Sequence, residues 1–436
     1  MRYQLRIAAF VGLMALASAA AGRAQDAPPP SPLTAGDFFD DQVLHTIRLI
    51  INPRDWQELK ANFQLNTYYP CHFIWRNQVV RNVAIRSRGT GSRSGTKPGL
   101  RVDFNLFDEY QQFLGLKSVV LRNNVQDPTN LHERIGMQLF TKLGLPAPRE
   151  AHTRVYVNDE YVGLYSIVES IDKVFLATRY GQENGYLYEY DYDVDDQPYR
   201  FEYKGPETSL YSPKPFKPVT HEIDPNPRPL AEMIRAIKET PRPEFVNVMS
   251  RYLDLRQLVI HTAIESFLSE IDGVLGEWGM NNYYLYRFEG TTVSTLIPWD
   301  KSEAFKGGVT RNIWRNIDDV PSWLQNVLMT RTLLVPELRG LYLDALQRCA
   351  EIAAATDEAV DHDIMDADPS GGLVGERVGW LEREIRRAYE QIREAALEDP
   401  AKPYSNEEFE EDVQRLIEFA RERSAFVLNE VERSPR

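Results

Sequence analysis

The hydrophobic period of this chain changes partway along it, and that change limits the folds open to it. Stretches such as HTIRLIIN, FIWR, VVRNVAIRSRG, LRVDFNLF and KSVVLRN alternate or run apolar, with turn residues between them. A period of two marks strands with one buried face, so these stretches predict an antiparallel β region. Within it, Leu131, Ile135, Leu139 and Leu143 fall on one helical face, and Gly144 and Pro146 end that helix. Asn158-Asp159 predicts a hairpin turn, GYLYEY a further strand, and Asp191 to Pro229 a long surface excursion. Helices are expected from Leu230 to Glu239, Pro243 to Tyr252 and Leu255 to Glu270, followed by a hairpin of NNYYLYRF and STLIPW. Helical stripes return at Val378 to Ala396. They return again at Phe409 to Ala420, where Ser405 and Glu408 offer a capping box. The pattern alone predicts the α+β class.

The ends and the composition narrow the setting. Arg2 and Arg6 precede an apolar run, Ile7 to Leu16, and small residues that permit cleavage after Ala19, Ala21 or Ala24. Residues 1–24 are therefore expected to be a signal peptide. Residues 25–42 are expected to be a Pro-rich linker carrying APPPSP, and the mature chain to be exported: periplasmic, secreted or at the cell surface. The apolar run is too short for a comfortable span, so no stable membrane span is expected after cleavage. A formal net charge of −14 without a basic run argues against a nucleic-acid partner. Cys71 and Cys349 are expected to be buried free thiols. HExxH, CxxC, GxSxG and the Walker A pattern do not occur, which removes the starting signals for zincin, redox, hydrolase and P-loop chemistry. The acidic run Glu189 to Asp196 lacks EF-hand spacing and reads as a solvated loop.

Chemistry concentrates between Asp272 and Phe305. An acid lies before one strand (Asp272), amides at its start (Asn281, Asn282) and an acid after the next (Asp300). Such hard oxygen donors suit Mg²⁺ or Mn²⁺ and phosphate. Strand alternation predicts that only one of Asn281 and Asn282 faces the site. Taken alone, Asp272 reads first as an Asp-Gly turn residue that ends a helix, and only second as a functional acid. Lys97, among Gly89, Gly91, Gly95 and Gly99, is either a phosphate contact or part of a solvated turn.

Four ordered blocks decide between these readings: RSRGTGSRSGTKPGLRVDFN, LRNNVQDPTNLHERIGMQLFTKLGLPAP, VYVNDEYVGLYSIVESID, and IDGVLGEWGMNNYYLY with LIPWDKSEAF. Together they resemble the CotH kinase family, an atypical branch of the protein-kinase-like superfamily. The resemblance implies a two-lobed kinase-like fold over 43–330, with a β-rich N-lobe and a mainly helical C-lobe. Residues 331–436 would form a helical extension packed on the C-lobe. It also implies ATP and a divalent metal, and a protein or other hydroxyl-bearing acceptor. Asp272 would orient that hydroxyl, while Asp300 and Asn281 would hold metal. Lys97 would contact phosphate, with Arg88 and Arg101 as secondary contacts. Glu133 would hold the lysine, and Glu169 would lie at the hinge. The step from Asp272 to Asn281 is nine residues, longer than the kinase catalytic loop, where the two lie about five apart. Two other classes share these residues: a non-catalytic surface assembly protein, and a metal-dependent phosphate-ester hydrolase.

Overall fold

The computed structural model describes residues 32–191, 199–321, 325–356 and 378–435. The expected leader, the first part of the linker and residues 192–196 of the acidic run lie outside these. Residues 32–34 belong to a leading unit and make no regular structure. Folded structure begins at Ala35 rather than Val43, in a short helix α1 (Ala35–Phe38). Phe38 enters the core, edge-on to Phe73, Trp75 and Phe113, so this half of the expected linker belongs to the domain.

Seven strands follow, with two helices among them: β1 (His45–Ile51), α2 (Pro53–Ala61), β2 (Tyr69–Trp75), β3 (Gln78–Arg88), β4 (Gly99–Asp103), β5 (Ser118–Arg122), α3 (His132–Lys142), β6 (Glu150–Val157) and β7 (Glu160–Glu169). They close into a barrel in the order β1-β2-β3-β4-β5-β7-β6. Every pairing is antiparallel except the last, where β1 runs parallel to β6 with His45 level with Thr153. Closure removes the open edges that a seven-stranded sheet would otherwise expose. The β6–β7 hairpin turns at Asn158 and Asp159, both with positive φ, as an Asn-Asp turn permits. The N-terminus of α3 lacks a cap on Leu131, and Asp127 serves it instead by accepting from the His132 amide at 2.8 Å.

The second half carries α4 (Lys173–Tyr180), β8 (Tyr186–Tyr190), β9 (Phe216–Pro218), α5 (Arg228–Glu239), α6 (Phe245–Met249), α7 (Leu255–Phe267), β10 (Tyr283–Arg287) and β11 (Ser294–Pro298). Then come α8 (Val327–Thr332), α9 (Pro336–Ala354), α10 (Trp380–Leu397) and α11 (Asn406–Arg433). The expected β10–β11 hairpin is half of a four-stranded sheet, ordered β11-β10-β8-β9. The expected surface excursion supplies β9 and buries Tyr199, Phe201, Tyr211 and Phe216. Its aromatic content outweighs its prolines, because each buried ring removes a large apolar area from water.

The helical tail differs from its expected place on one lobe. Arg423 of α11 is buried and donates to the carbonyls of Phe267 (2.9 Å), Ser266 (2.6 Å) and Val309 (2.6 Å). On the other side α10 meets the barrel, where the Tyr161 hydroxyl donates to the Ala395 carbonyl at 2.9 Å and Arg154 pairs with Glu398 at 2.6 Å. The tail thus packs on both lobes. Cys71 in β2 and Cys349 in α9 are buried free thiols. No helix among the described residues is long and apolar enough to cross a membrane.

Candidate active site

Between the barrel and the helical half lies a polar cleft of about 540 Å³. Its barrel side is the end of β3, with Arg86 and Arg88, and the glycine-rich loop that follows. Its opposite side carries Asp272, Asn281, Asn282, Asp300 and Ser302.

The β10–β11 pair brings the second group together. Tyr283 lies opposite Pro298, and one step beyond it the Trp299 amide donates to the Asn282 carbonyl at 3.2 Å. Asn282 (φ 58°) and Asp300 (φ 48°) then leave the strands in the left-handed region. Asn and Asp tolerate that conformation better than other side-chain-bearing residues, and outliers of this kind cluster at functional sites. The turn at Asn282 overrides strand alternation, so both amides reach Asp272. The Asn281 side chain donates to both Asp272 carboxylate oxygens at 3.1 Å, and that of Asn282 donates to Oδ2 at 3.0 Å and to the Asp272 carbonyl at 2.9 Å. The nine-residue connection is clamped from outside. Arg311 and Arg315 hold Glu277, and Asn316 and Asn326 donate to the carbonyls of Leu275 and Val274. Trp278 stands half-exposed at the cleft mouth.

The two acids sit in different electrostatic settings. Burial pushes Asp272 up to about 6, with Asp300 and Glu303 adding to the rise and the Asn281 bonds and Lys301 opposing it. Burial acts on Asp300 as well. There the Arg122 guanidinium, 2.6 Å from Oδ1, and the Ser302 hydroxyl at 2.9 Å hold the carboxyl below its usual range.

Arg122 is a residue to which the sequence reading gave no role. It ends β5 and is paired with both Glu133 of α3 and Asp300. The cation that Glu133 holds is therefore Arg122 and not Lys97. Lys97 points away from the cleft into a buried ion pair with Asp399 at 2.7 Å. Arg88 lines the cleft, stacked over Trp299 at 4.9 Å. Arg101 does not line it; it donates to Ser118 and pairs with Asp103 at 3.6 Å. Glu169 also lies outside the lining and joins Arg149 (2.7 Å) to Arg179 (2.9 Å). Arg86, Lys301 and Glu265 were missed. Lys301 is buried, pairs with Glu265 at 2.6 Å and donates to the Asn282 carbonyl at 3.0 Å, while Glu265 accepts from the Val274 amide at 2.8 Å. That pair ties α7, the Asp272 loop and the Asp300 strand together. Its one legible signal was a lysine directly after Asp300.

Among the described residues no group of three or more His, Cys, Asp or Glu is arranged to hold a metal. A Mg²⁺ site does not require one, since one or two carboxylates with nucleotide phosphates and water complete its shell. Asp300, Asp272 and the Asn281 amide oxygen in one cleft, facing Arg86 and Arg88, fit such a metal–nucleotide pair.

A closed β-barrel lobe and a helical lobe on either side of this cleft define a two-lobed, kinase-like α+β protein. Residues 85–360 match the family described as CotH kinase protein. The chain belongs to the CotH kinase family. Inner spore coat protein H of Bacillus subtilis (strain 168) is 24% identical over 380 residues, which span 87% of this chain and 95% of that protein. The crystal structure of the Helicobacter pylori proinflammatory kinase CtkA superposes with a TM-score of 0.29 at 9% identity, over 77% of this chain and 93% of that one. The fold assignment rests on the family match.

Proposed function

We propose that the protein is an exported phosphotransferase that moves the γ-phosphoryl group of ATP to a hydroxyl on a protein or another acceptor. The observation that carries this reading is the split between two carboxylates in one cleft. Carboxylates whose environments push their pKa values apart mark a division between proton handling and charge binding. Asp272, pushed up to about 6 and oriented by two amides, takes the acceptor proton as oxygen bonds to phosphorus and the bond to the β-phosphate oxygen breaks. Asp300, held ionised by Arg122, would bind Mg²⁺ or Mn²⁺ with the Asn281 oxygen. Such a metal, when bound, neutralises charge on the nucleotide phosphates. Arg86 and Arg88 face the same phosphates from the barrel side. The leader-like N-terminus and a relative named as a spore coat protein support export or surface association. That relative's name also supports a second reading, a surface assembly protein on the same fold.

The test is transfer of labelled γ-phosphate by the chain from about Gln25 onward, with Mg²⁺ or Mn²⁺ and a mixture of acceptors. Labelled acceptor is the expected product. Free phosphate without labelled acceptor would indicate a phosphate-ester hydrolase, and no transfer with no ATP binding would favour the assembly reading.

A further inference from the structure

We propose that the turn between α10 and α11 sets the position of the glycine-rich loop over the cleft, through the buried pair of Asp399 and Lys97. The inference rests on reading the cleft as a nucleotide site. It makes Asp399 a positioning residue for phosphate binding.

Lys97 stands at the root of the loop. Its carbonyl accepts from the Asn123 side chain at 2.7 Å, and the same amide donates to the Ser92 carbonyl at 2.9 Å, which sutures the two limbs of the loop. The Lys97 amide donates to Ser94 Oγ at 3.1 Å. Asn123 directly follows Arg122, the residue that joins Glu133 to Asp300. The height of the loop root is thus coupled to the metal side of the cleft.

The Lys97 ammonium extends away from the cleft to Asp399, and both side chains are shut off from water (0% and 2% exposed). Asp399 is itself fixed: Oδ2 accepts from the Leu164 amide at 3.0 Å and Oδ1 from the Ala401 amide at 2.9 Å. Room for it is reserved in β7. Gly163 has φ +135°, and a Cβ there would come within 2.6 Å of the Asp399 carboxylate. On the other face Lys402 donates to the carbonyls of Ala396, Leu397 and Asp399, which fixes the end of α10. Burying a charge pair this fully costs desolvation that apolar residues of the same volume avoid. What a buried pair supplies and an apolar contact does not is one defined register between two segments. Here those segments are the loop root and the C-terminal turn.

Asp399→Asn in the full chain tests this. Lys97→Met/Asp399→Asn serves as a second variant, keeping the volume while removing both charges. Thermal unfolding establishes that each is folded. Hydrogen exchange at the amides of Gly89 to Lys97 is then measured without nucleotide, alongside KM for ATP and kcat. Faster exchange across the loop is expected in both variants. In Asp399→Asn, KM should rise about tenfold, a usual size for coupling between sites, while kcat holds. Wild-type exchange and KM in either folded variant would overturn the proposal. If the wild-type protein neither binds nor uses ATP, the functional reading fails, and the exchange measurement still decides whether the turn positions the loop.

Discussion

Asp272 reaches its state through competing contacts, and those contacts can be removed one at a time. In the proposed reaction its carboxylate is the reactive form, and burial pushes its pKa up to about 6. The kcat/KM profile for ATP reports the free protein, so it should fall as pH drops through about 6. The two Asn281 bonds favour the ionised form. Asn281→Ala should therefore raise the pKa and move the acid limb to higher pH. A limb that stays in place would mean that another group controls it.

Glu265 has the opposite sign. Burial would raise it, but Lys301 and His261 bring it down from 4.5 to about 2. Because the folded value lies below the unfolded one, the stability it contributes is complete above about 4.5 and disappears as pH falls towards 2. Glu265→Gln leaves the Lys301 ammonium buried without its partner, which costs roughly 3–5 kcal/mol in denaturant unfolding at neutral pH. The difference between wild type and variant should shrink across that acid window. Asp272, Asn281 and Asp300 were legible because they lie near one another in sequence around one hairpin. The partners of Glu133 and Lys97 were not. Arg122, at the end of β5, meets Glu133 across the loop that leads into α3, and Asp399 meets Lys97 through the return of the tail; local spacing carries no record of either.

At the scale of elements, periodicity found α3 to within a residue at each end, predicting 131–143 against His132–Lys142. It also found the capping box that starts α11, where Ser405 and Glu408 bond reciprocally. Ser405→Ala should cost about 1 kcal/mol of stability, read from denaturant unfolding. An unchanged midpoint would show that packing against α10, through Tyr389 on Phe409 and Arg393 on Glu410, holds that end without the cap. Alternation could not reveal the parallel β1–β6 pairing, because a strand's burial pattern is the same whichever way its neighbour runs. Nor could it foresee β9, a three-residue strand whose place depends on β8.

In the whole molecule, a chain of net charge −14 concentrates arginine on one wall of a cleft and carboxylates on the other. That arrangement is complementary to the metal-bound nucleotide proposed above, and the helical tail packs on the two lobes that carry the walls. The proposed reaction divides its labour between Asp272 and Asp300. It is tested most directly by measuring metal-dependent ATP binding and phosphoryl transfer on Asp272→Asn and Asp300→Asn. Asp272→Asn should bind ATP with its metal dependence intact and lose transfer by on the order of 10²–10⁴-fold, the span of a general base. Asp300→Asn should lose the metal dependence of binding itself. Wild-type transfer by Asp272→Asn, or undiminished metal-dependent binding by Asp300→Asn, would contradict the account.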